Sequence, residues 1–521
     1  MNQSERQSLG GQSMIRDMIT AMDHWALQDP ERLAYDDLGH TNTYGDLKQR
    51  SDALAAHLDK MNLPAHAPIM VYGGQTFNMM ATFLGIVKSG HAYVPIDTHS
   101  PVERLTTIND IAQPAAAIAV NDLPTTLGAT PVIDAETLNT IFDQHVDYQV
   151  THPVSGDDTY YIIFTSGTTG KPKGVQISHT NLLSYVNWML SDDFKLPQTP
   201  RTLSQAPYSF DLSVMDWGPT LASGGTLVAL PKQVTDNFKD LFATLPTLQL
   251  NVWVSTPSFV DICLMEPTFD ASHYPNLSRF LFCGEELTHA TAATLHQRFP
   301  QARIFNTYGP TETTVAVTQV EITERVLADY PRLPIGYVKD DTHITVVDEH
   351  LHPLPAGTEG ELLISGPSMS KGYLNNPDKT KKAFIKMAGQ TVYRSGDLGV
   401  QLDNGLIMYR GRTDFQIKLH GYRIELEEVN HYLSQEDHIQ VGVAVPRYDR
   451  NHKVSQLIAW IVPATHDFAS ELDLTKAIKE NLQGGDMMSY MIPQRFVYKE
   501  SLPMTPNGKV DIKSIIAEVN H

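Results

Sequence analysis

Tyr160-Tyr161-Ile162-Ile163-Phe164-Thr165-Ser166-Gly167-Thr168-Thr169-Gly170-Lys171-Pro172-Lys173-Gly174 is the most informative stretch of the chain. An apolar run that reads as buried strand gives way directly to Gly, Ser, Thr and Lys. Glycines let backbone N–H groups approach an anion closely, and hydroxyls and lysines add donors and positive charge. Such a loop can hold the β- and γ-phosphates of ATP. It is not the P-loop of the NTPases, which has four residues between its glycines and then Lys-Ser/Thr. Here two residues separate Gly167 from Gly170, and Pro172 follows Lys171. Proline has no N–H to donate where a phosphate-cradling helix would start. Taken alone, a Gly-Ser-Thr run could equally be a flexible polar loop.

Working outward, residues 67–72 and 92–96 read as buried strands around a helix over 77–89, the strand–helix–strand unit of a parallel sheet. The pattern recurs at 116–120, 203–205, 226–229, 252–256, 280–283 and 303–308, with helices over 181–190 and 290–298. From about residue 333 short strands (344–348, 360–365, 391–394, 406–410) are separated by turn signals such as Asp403-Asn404-Gly405. Beyond Arg412 the spacing predicts strand 415–419, helix 425–435, strands 439–446 and 456–462, helix 474–483 and strand 495–497. The expected fold is α/β. Residues 1–412 form a large domain of mostly parallel sheets flanked by helices, with a β-rich subdomain over about 333–412. Residues 413–521 form a small α+β domain on a hinge.

The 521 residues are too many for one ordinary core, which agrees with that division. A net charge of -20 opposes a general nucleic-acid binder and an anionic membrane surface. No stretch approaches a membrane span, and Met1 to Ser13 is polar, without the apolar core of a signal peptide. Two cysteines, Cys263 and Cys283, support neither a disulfide framework nor a metal cluster, and suit a reducing cytoplasm.

Further motifs lie in order along the chain: Asn306-Thr307-Tyr308-Gly309-Pro310-Thr311-Glu312, Tyr393-Arg394-Ser395-Gly396-Asp397, Gly411-Arg412-Thr413-Asp414-Phe415-Gln416-Ile417-Lys418, and Pro506-Asn507-Gly508-Lys509. With the phosphate loop, they resemble the signatures of the adenylate-forming superfamily, which includes acyl-CoA synthetases, luciferases and the adenylation domains of peptide synthetases. The resemblance implies that a carboxylate attacks the α-phosphate of ATP, and that a thiol then takes the acyl group from the adenylate. It assigns ATP contacts to Thr165, Ser166, Gly167, Thr168, Thr169, Gly170 and Lys171. It also assigns them to Asn306, Thr307, Tyr308 (an aromatic face for adenine), Gly309, Pro310 and Thr311, and to Asp397, Tyr409, Arg410, Gly411 and Arg412. Asp397, read as a turn residue after a strand, would accept from both ribose hydroxyls. Glu312 would bind Mg²⁺, which prefers few carboxylates plus phosphate oxygens. Lys509 would be catalytic, a cation between two anions that repel each other. Asp414 would be the pivot about which residues 413–521 turn between the half-reactions.

Asp211, in Phe210-Asp211-Leu212-Ser213, stands where amino-acid-activating members carry the carboxylate that pairs with the substrate's α-ammonium. A helix N-cap is the other reading of this residue. Peptide-synthetase domains usually have Gly-Gly-Glu where this chain has Cys283-Gly284-Glu285. With 95–98 and 211–216, this is similar to the branch that activates D-alanine and passes it to the phosphopantetheine thiol of a separate D-alanyl carrier protein, for D-alanylation of lipoteichoic acid. Cys283 would narrow the pocket floor, Val315 would add a wall, and Lys509 would reach the substrate carboxylate. The short tail between Lys509 and His521 leaves no room for a carrier domain, so a separate thiol, of a carrier or of coenzyme A, is expected, and the resemblance implies a monomer. Activation of another small amino acid, such as glycine or L-alanine, and a catalytically silent nucleotide binder stay open as alternatives.

Overall fold

The computed structural model describes residues 8–9, 12–167, 171–387, 389–450, 453–485, 487–505 and 510–520. Thr168, Thr169, Gly170 and Lys509 therefore lie outside the described residues. Alternation of side chains along the strands sorts the large part of the chain into layers. In Ile69–Tyr72, Ile69 and Val71 face one core while Met70 and Tyr72 face another. In Arg279–Phe282, Leu281 joins the same first core while Phe280 and Phe282 point the other way. The shared core lies between a six-stranded and a nine-stranded sheet and is filled by the helices Met18–Gln28, Tyr44–Lys60, Phe77–Lys88 and Leu212–Ala222. Strands buried on both faces read as near-continuous apolar runs, as the sequence showed.

The six-stranded sheet runs Lys173–Ser178, Thr159–Thr165, Tyr93–Ile96, Ile69–Tyr72, Ala116–Ala119, Val132–Ile133. All its pairs are parallel except the first. The phosphate loop thus joins two antiparallel strands at a sheet edge, with Thr165 opposite Lys173. In the nine-stranded sheet, Arg303–Tyr308, Arg279–Phe282, Val252–Ser255, Arg201–Ser204, Thr226–Ala229 and Leu33–Asp37 are parallel neighbours. The carboxyl ends of these strands deliver Phe282-Cys283, Tyr308 and the loop from Ser204 to Asp211 to one crevice, where open α/β sheets bind ligands.

A five-stranded antiparallel sheet follows, His343–Val347, Glu359–Ser365, Gln390–Gln401, Phe384–Met387 and Ile407–Arg412. Here the expectation of a turn at Asp397 is corrected. One long strand, Gln390–Gln401, runs through it, and Asp397 pairs with Arg412. Gly396, at φ +69°, supplies the local irregularity that looked like a strand end.

From Ile417 onward a separate core forms on Ile439–Tyr448, Val454–Pro463, Arg495–Tyr498 and the helices Leu426–Gln435 and Glu471–Gly484. The hairpin Gln416–Leu419/Tyr422–Glu425 caps it. His420 and Gly421, both at positive φ, make its two-residue turn. Ile417, Leu419 and Ile424 point into the small core, so Gln416, Lys418, Arg423 and Glu425 share the opposite face, toward the large crevice.

Candidate active site

The crevice opens into a cavity of about 550 Å³ lined by, among others, Asp211, Cys283, Thr311, Val315, Asp397 and Lys418. Asp211 stands at the N-cap position of Leu212–Ala222, but its backbone is already helical (φ −67°, ψ −21°) and its side chain makes no capping bond. The N-cap alternative therefore falls away, and the carboxylate is left for the cavity. Burial pushes its carboxyl above the ordinary carboxylate value, while the Thr311 hydroxyl and the Lys418 ammonium work against that. Cys283 continues the inward face of Leu281, and burial likewise pushes its thiol up. Its Sγ–H donates to the Val315 carbonyl at 3.6 Å. Thr314 and Val315 both hold positive φ, 60° and 66°, a conformation a β-branched residue adopts only when its surroundings force it. Gly309 permits this fold-back, since a Cβ there would stand 2.6 Å from Ala316 Cα.

The nucleotide motifs meet in an adjoining cavity of about 440 Å³, lined by Asn306, Thr307, Tyr308, Tyr409, Arg410, Gly411, Arg412 and Asp414 among others. Asn306 Nδ2 donates to Pro334 O at 2.7 Å and Thr307 Oγ1 to Phe282 O at 2.8 Å, which fixes both against the strand ends. Tyr308 Oη donates to Asp397 Oδ2 at 2.5 Å, and Arg412 Nη1 to Asp397 Oδ1 at 2.8 Å. Arg412 also holds Asp414 through two bonds, 2.6 and 2.7 Å, so the expected ribose residue and the expected pivot share one guanidinium. Thr165 and Ser166 line a smaller pocket beside Asp211 and Thr311. Lys171 is exposed at the far end of the loop. Gly309, Pro310 and Thr311 border the larger cavity.

Glu312 is fully buried. Burial alone would raise its carboxyl, yet Arg423 and Lys173 beside it hold it well below the ordinary range. Arg423 Nη1 bonds its Oε2 at 2.6 Å, Tyr373 Oη donates to Oε1 at 2.8 Å, and Lys173 Nζ lies 3.5 Å from Oε1. The carboxylate is kept ionised, as a Mg²⁺ ligand must be, while Arg423 takes its Oε2 and Tyr373 and Lys173 its Oε1. Among the described residues no cluster of three or more His, Cys, Asp or Glu could hold a metal ion. Sequence reasoning missed Lys418, Arg423 and Glu428 as site residues, together with Glu285, whose Oε1 accepts from Gly421 N at 2.8 Å. The His-Gly turn between alternating apolar and charged residues was the available signal.

The match to the family of AMP-binding enzymes covers residues 22–374, and the chain belongs to that family. It is an AMP-forming ligase by that fold and by its relatives. It is 68% identical over 507 residues to the D-alanine--D-alanyl carrier protein ligase of Lactiplantibacillus plantarum, covering 97% of this chain and 100% of the relative. It is 53% identical over 511 residues to the enzyme of the same name from Streptococcus agalactiae, covering 97% and 100%. Among solved structures, the Vibrio cholerae adenylation domain AlmE, in complex with glycyl-adenosine-5'-phosphate, superposes with a TM-score of 0.81 at 23% identity, covering 98% of this chain and 99% of that one. This shows the shared fold.

Proposed function

We propose that this chain activates D-alanine with ATP to D-alanyl-adenylate and transfers the alanyl group to the phosphopantetheine thiol of a D-alanyl carrier protein, which serves lipoteichoic acid D-alanylation. The observation that carries this reading is the uncapped, interior carboxylate of Asp211 in a cavity floored by Cys283 and walled by Val315, next to the adenylate motifs. The full-length relatives of the same printed activity support it.

In the first half-reaction an oxygen of the D-alanine carboxylate bonds to the α-phosphorus, and the bond from that phosphorus to the pyrophosphate oxygen breaks. Asp211 anchors the α-ammonium, which fixes the carboxylate's approach. Thr165, Ser166, Gly167, Thr168, Thr169, Gly170 and Lys171 hold the β- and γ-phosphates, Asn306 and Tyr308 the adenine, and Asp397 with Arg412 the ribose. Glu312 would hold Mg²⁺, whose charge would offset that of the phosphates. Lys509 bridges the two reacting anions. In the second half-reaction the carrier's sulfur bonds to the acyl carbon and the bond to AMP breaks. Residues 413–521 turn about Asp414 between the two steps. The reading has a monomer working in the cytoplasm, where ATP is supplied.

ATP–pyrophosphate exchange with a panel of small amino acids tests the proposal. D-alanine is expected to drive exchange fastest, and Lys509→Ala to abolish exchange while ATP still binds. Fastest exchange with glycine or L-alanine would transfer the reading to the alternative amino acids. No exchange with any of them would indicate a silent nucleotide binder.

A further inference from the structure

The nucleotide cavity is also lined by a charged pair that the sequence motifs leave out, Glu286 and Arg332. Arg332 Nε and Nη2 donate to the two carboxylate oxygens of Glu286, each at 2.7 Å. Both side chains are half-buried. A bidentate pair of this kind fixes the plane of a guanidinium, which a single bond leaves able to turn. That guanidinium lies over the Tyr409 ring, with its Cζ 5.6 Å from the ring centroid. The hydroxyl of the same ring faces the ribose residue: Tyr409 Oη donates to Asp397 Oδ1 at 3.4 Å. Burial and the Asp397 carboxylate push the Tyr409 hydroxyl up, so it keeps its proton for that bond. A bond this long is weak and does not by itself fix a ring. The backbone beside Arg332 stands without its side chain, because Ile335 N donates to Ile407 O at 3.0 Å and Ile407 N to Gly336 O at 2.9 Å. The scaffold thus rests on backbone bonds, while the guanidinium makes its contacts with the Glu286 carboxylate and the Tyr409 ring.

We infer that Glu286 and Arg332 tune the affinity for the ribose of ATP: Glu286 fixes the guanidinium, the guanidinium holds the Tyr409 ring, and the ring's hydroxyl steadies the Asp397 carboxylate that receives the ribose hydroxyls. The inference rests on the nucleotide assignment in the function proposed above. Asp397 has three donors, and two of them, Tyr308 and Arg412, reach it at 2.5 and 2.8 Å. Tyr409 makes the longest of the three bonds, so it depends most on what holds its ring. Glu286 and Arg332 are positioning residues, acting through Tyr409 and touching none of the reacting atoms.

The test measures, by calorimetry on the full chain with Mg²⁺, the binding of ATP and of its dideoxyribose analogue, which lacks both ribose hydroxyls. Pyrophosphate exchange supplies KM and kcat. Arg332→Ala is expected to weaken ATP about fivefold, the worth of a partly desolvated cation over a ring. It should leave the analogue bound as in the parent, because Asp397 has no ribose hydroxyl to receive there. In exchange the change should appear in KM for ATP, not in kcat and not in KM for D-alanine. Arg332→Lys keeps the charge and loses the fork, so it should recover only part of the loss. Glu286→Gln should weaken ATP in the same direction, and Glu286→Gln with Arg332→Ala no further than Arg332→Ala alone, since the two side chains act as one unit. Should Arg332→Ala not fold, Arg332→Lys and Glu286→Gln carry the same comparison. Equal losses with ATP and the analogue, additive losses in the double variant, or full recovery with lysine would overturn the inference while leaving the activity standing. Absence of exchange in the parent chain would remove the proposed activity, and the comparison of the two nucleotides would still decide the inference.

Discussion

Asp211 lines the cavity with its carboxyl raised by burial, and the Thr311 hydroxyl, Lys418 and Arg423 reduce that shift without reversing it. The amino acid keeps its ammonium protonated through neutral pH, so it is the carboxyl whose titration limits binding. Its pKa is raised, so as pH falls the carboxyl is neutralised earlier than an ordinary aspartate. Hence kcat/KM for D-alanine should decline on the acid side with a midpoint above 3.8, the ordinary aspartate value. Asp211→Asn should remove that limb and lower kcat/KM by about a hundredfold or more, the cost of unpairing a buried charge. An unchanged acid limb in the variant would show that another group is titrating. Cys283→Ala should reduce the preference for D- over L-alanine by about tenfold, within the 1–3 kcal/mol a misplaced methyl is worth. Selectivity measured by exchange decides this, and an unmoved ratio would relocate the chiral determinant. Both positions line the cavity, and both were marked in the sequence through the family resemblance, as an Asp after Phe and a Cys where relatives carry Gly. Lys418 and Arg423 were not, because a charged residue on a solvated strand and one in a ligand crevice look alike until the strand is placed.

Among elements, the parallel strands were read almost to the residue, since strands buried on both faces are continuous apolar runs. The expected strand over 252–256 appears as Val252–Ser255, and the expected helix over 290–298 as His289–Arg298. The hairpin around His420-Gly421 was read as one strand running toward a helix, because its second strand is four residues long and merges into Leu426–Gln435. A different device orders the helices of the shared core. Lys88, the last residue of Phe77–Lys88, is 0% exposed. Its Nζ reaches Asp23 at 2.8 Å, Asp52 at 2.6 Å and Ser51 at 3.0 Å, and so ties three helices together. Lys88→Ala would leave these carboxylates short of a cation, at a cost of about 3–5 kcal/mol. Urea unfolding should show a lower midpoint at unchanged slope. A loss under about 1 kcal/mol would mean that Lys48, which also bonds Asp52, carries the cluster instead.

For the whole molecule, order along the chain made the two-part architecture readable, and distance in the fold hid how the parts meet. The face of Gln416, Lys418, Arg423 and Glu425 is turned toward the crevice, where Gly421 N binds Glu285 and Lys453 Nζ lies 3.2 Å from Asp261. Such contacts join residues more than a hundred positions apart and depend on charge across a boundary, which no local pattern encodes. Lys509 belongs to this scale as well: its motif is recognisable in the sequence, while the residue lies outside the described ones. In the proposed function, one chain both makes the aminoacyl adenylate and delivers it to a carrier thiol. Intact-mass analysis of a phosphopantetheine-loaded D-alanyl carrier protein incubated with this chain, ATP, Mg²⁺ and D-alanine reads out both steps at once. The carrier should gain one alanyl group in an ATP-dependent way, faster from D-alanine than from L-alanine or glycine. A carrier that gains no mass, or gains it equally fast from L-alanine, would contradict that function.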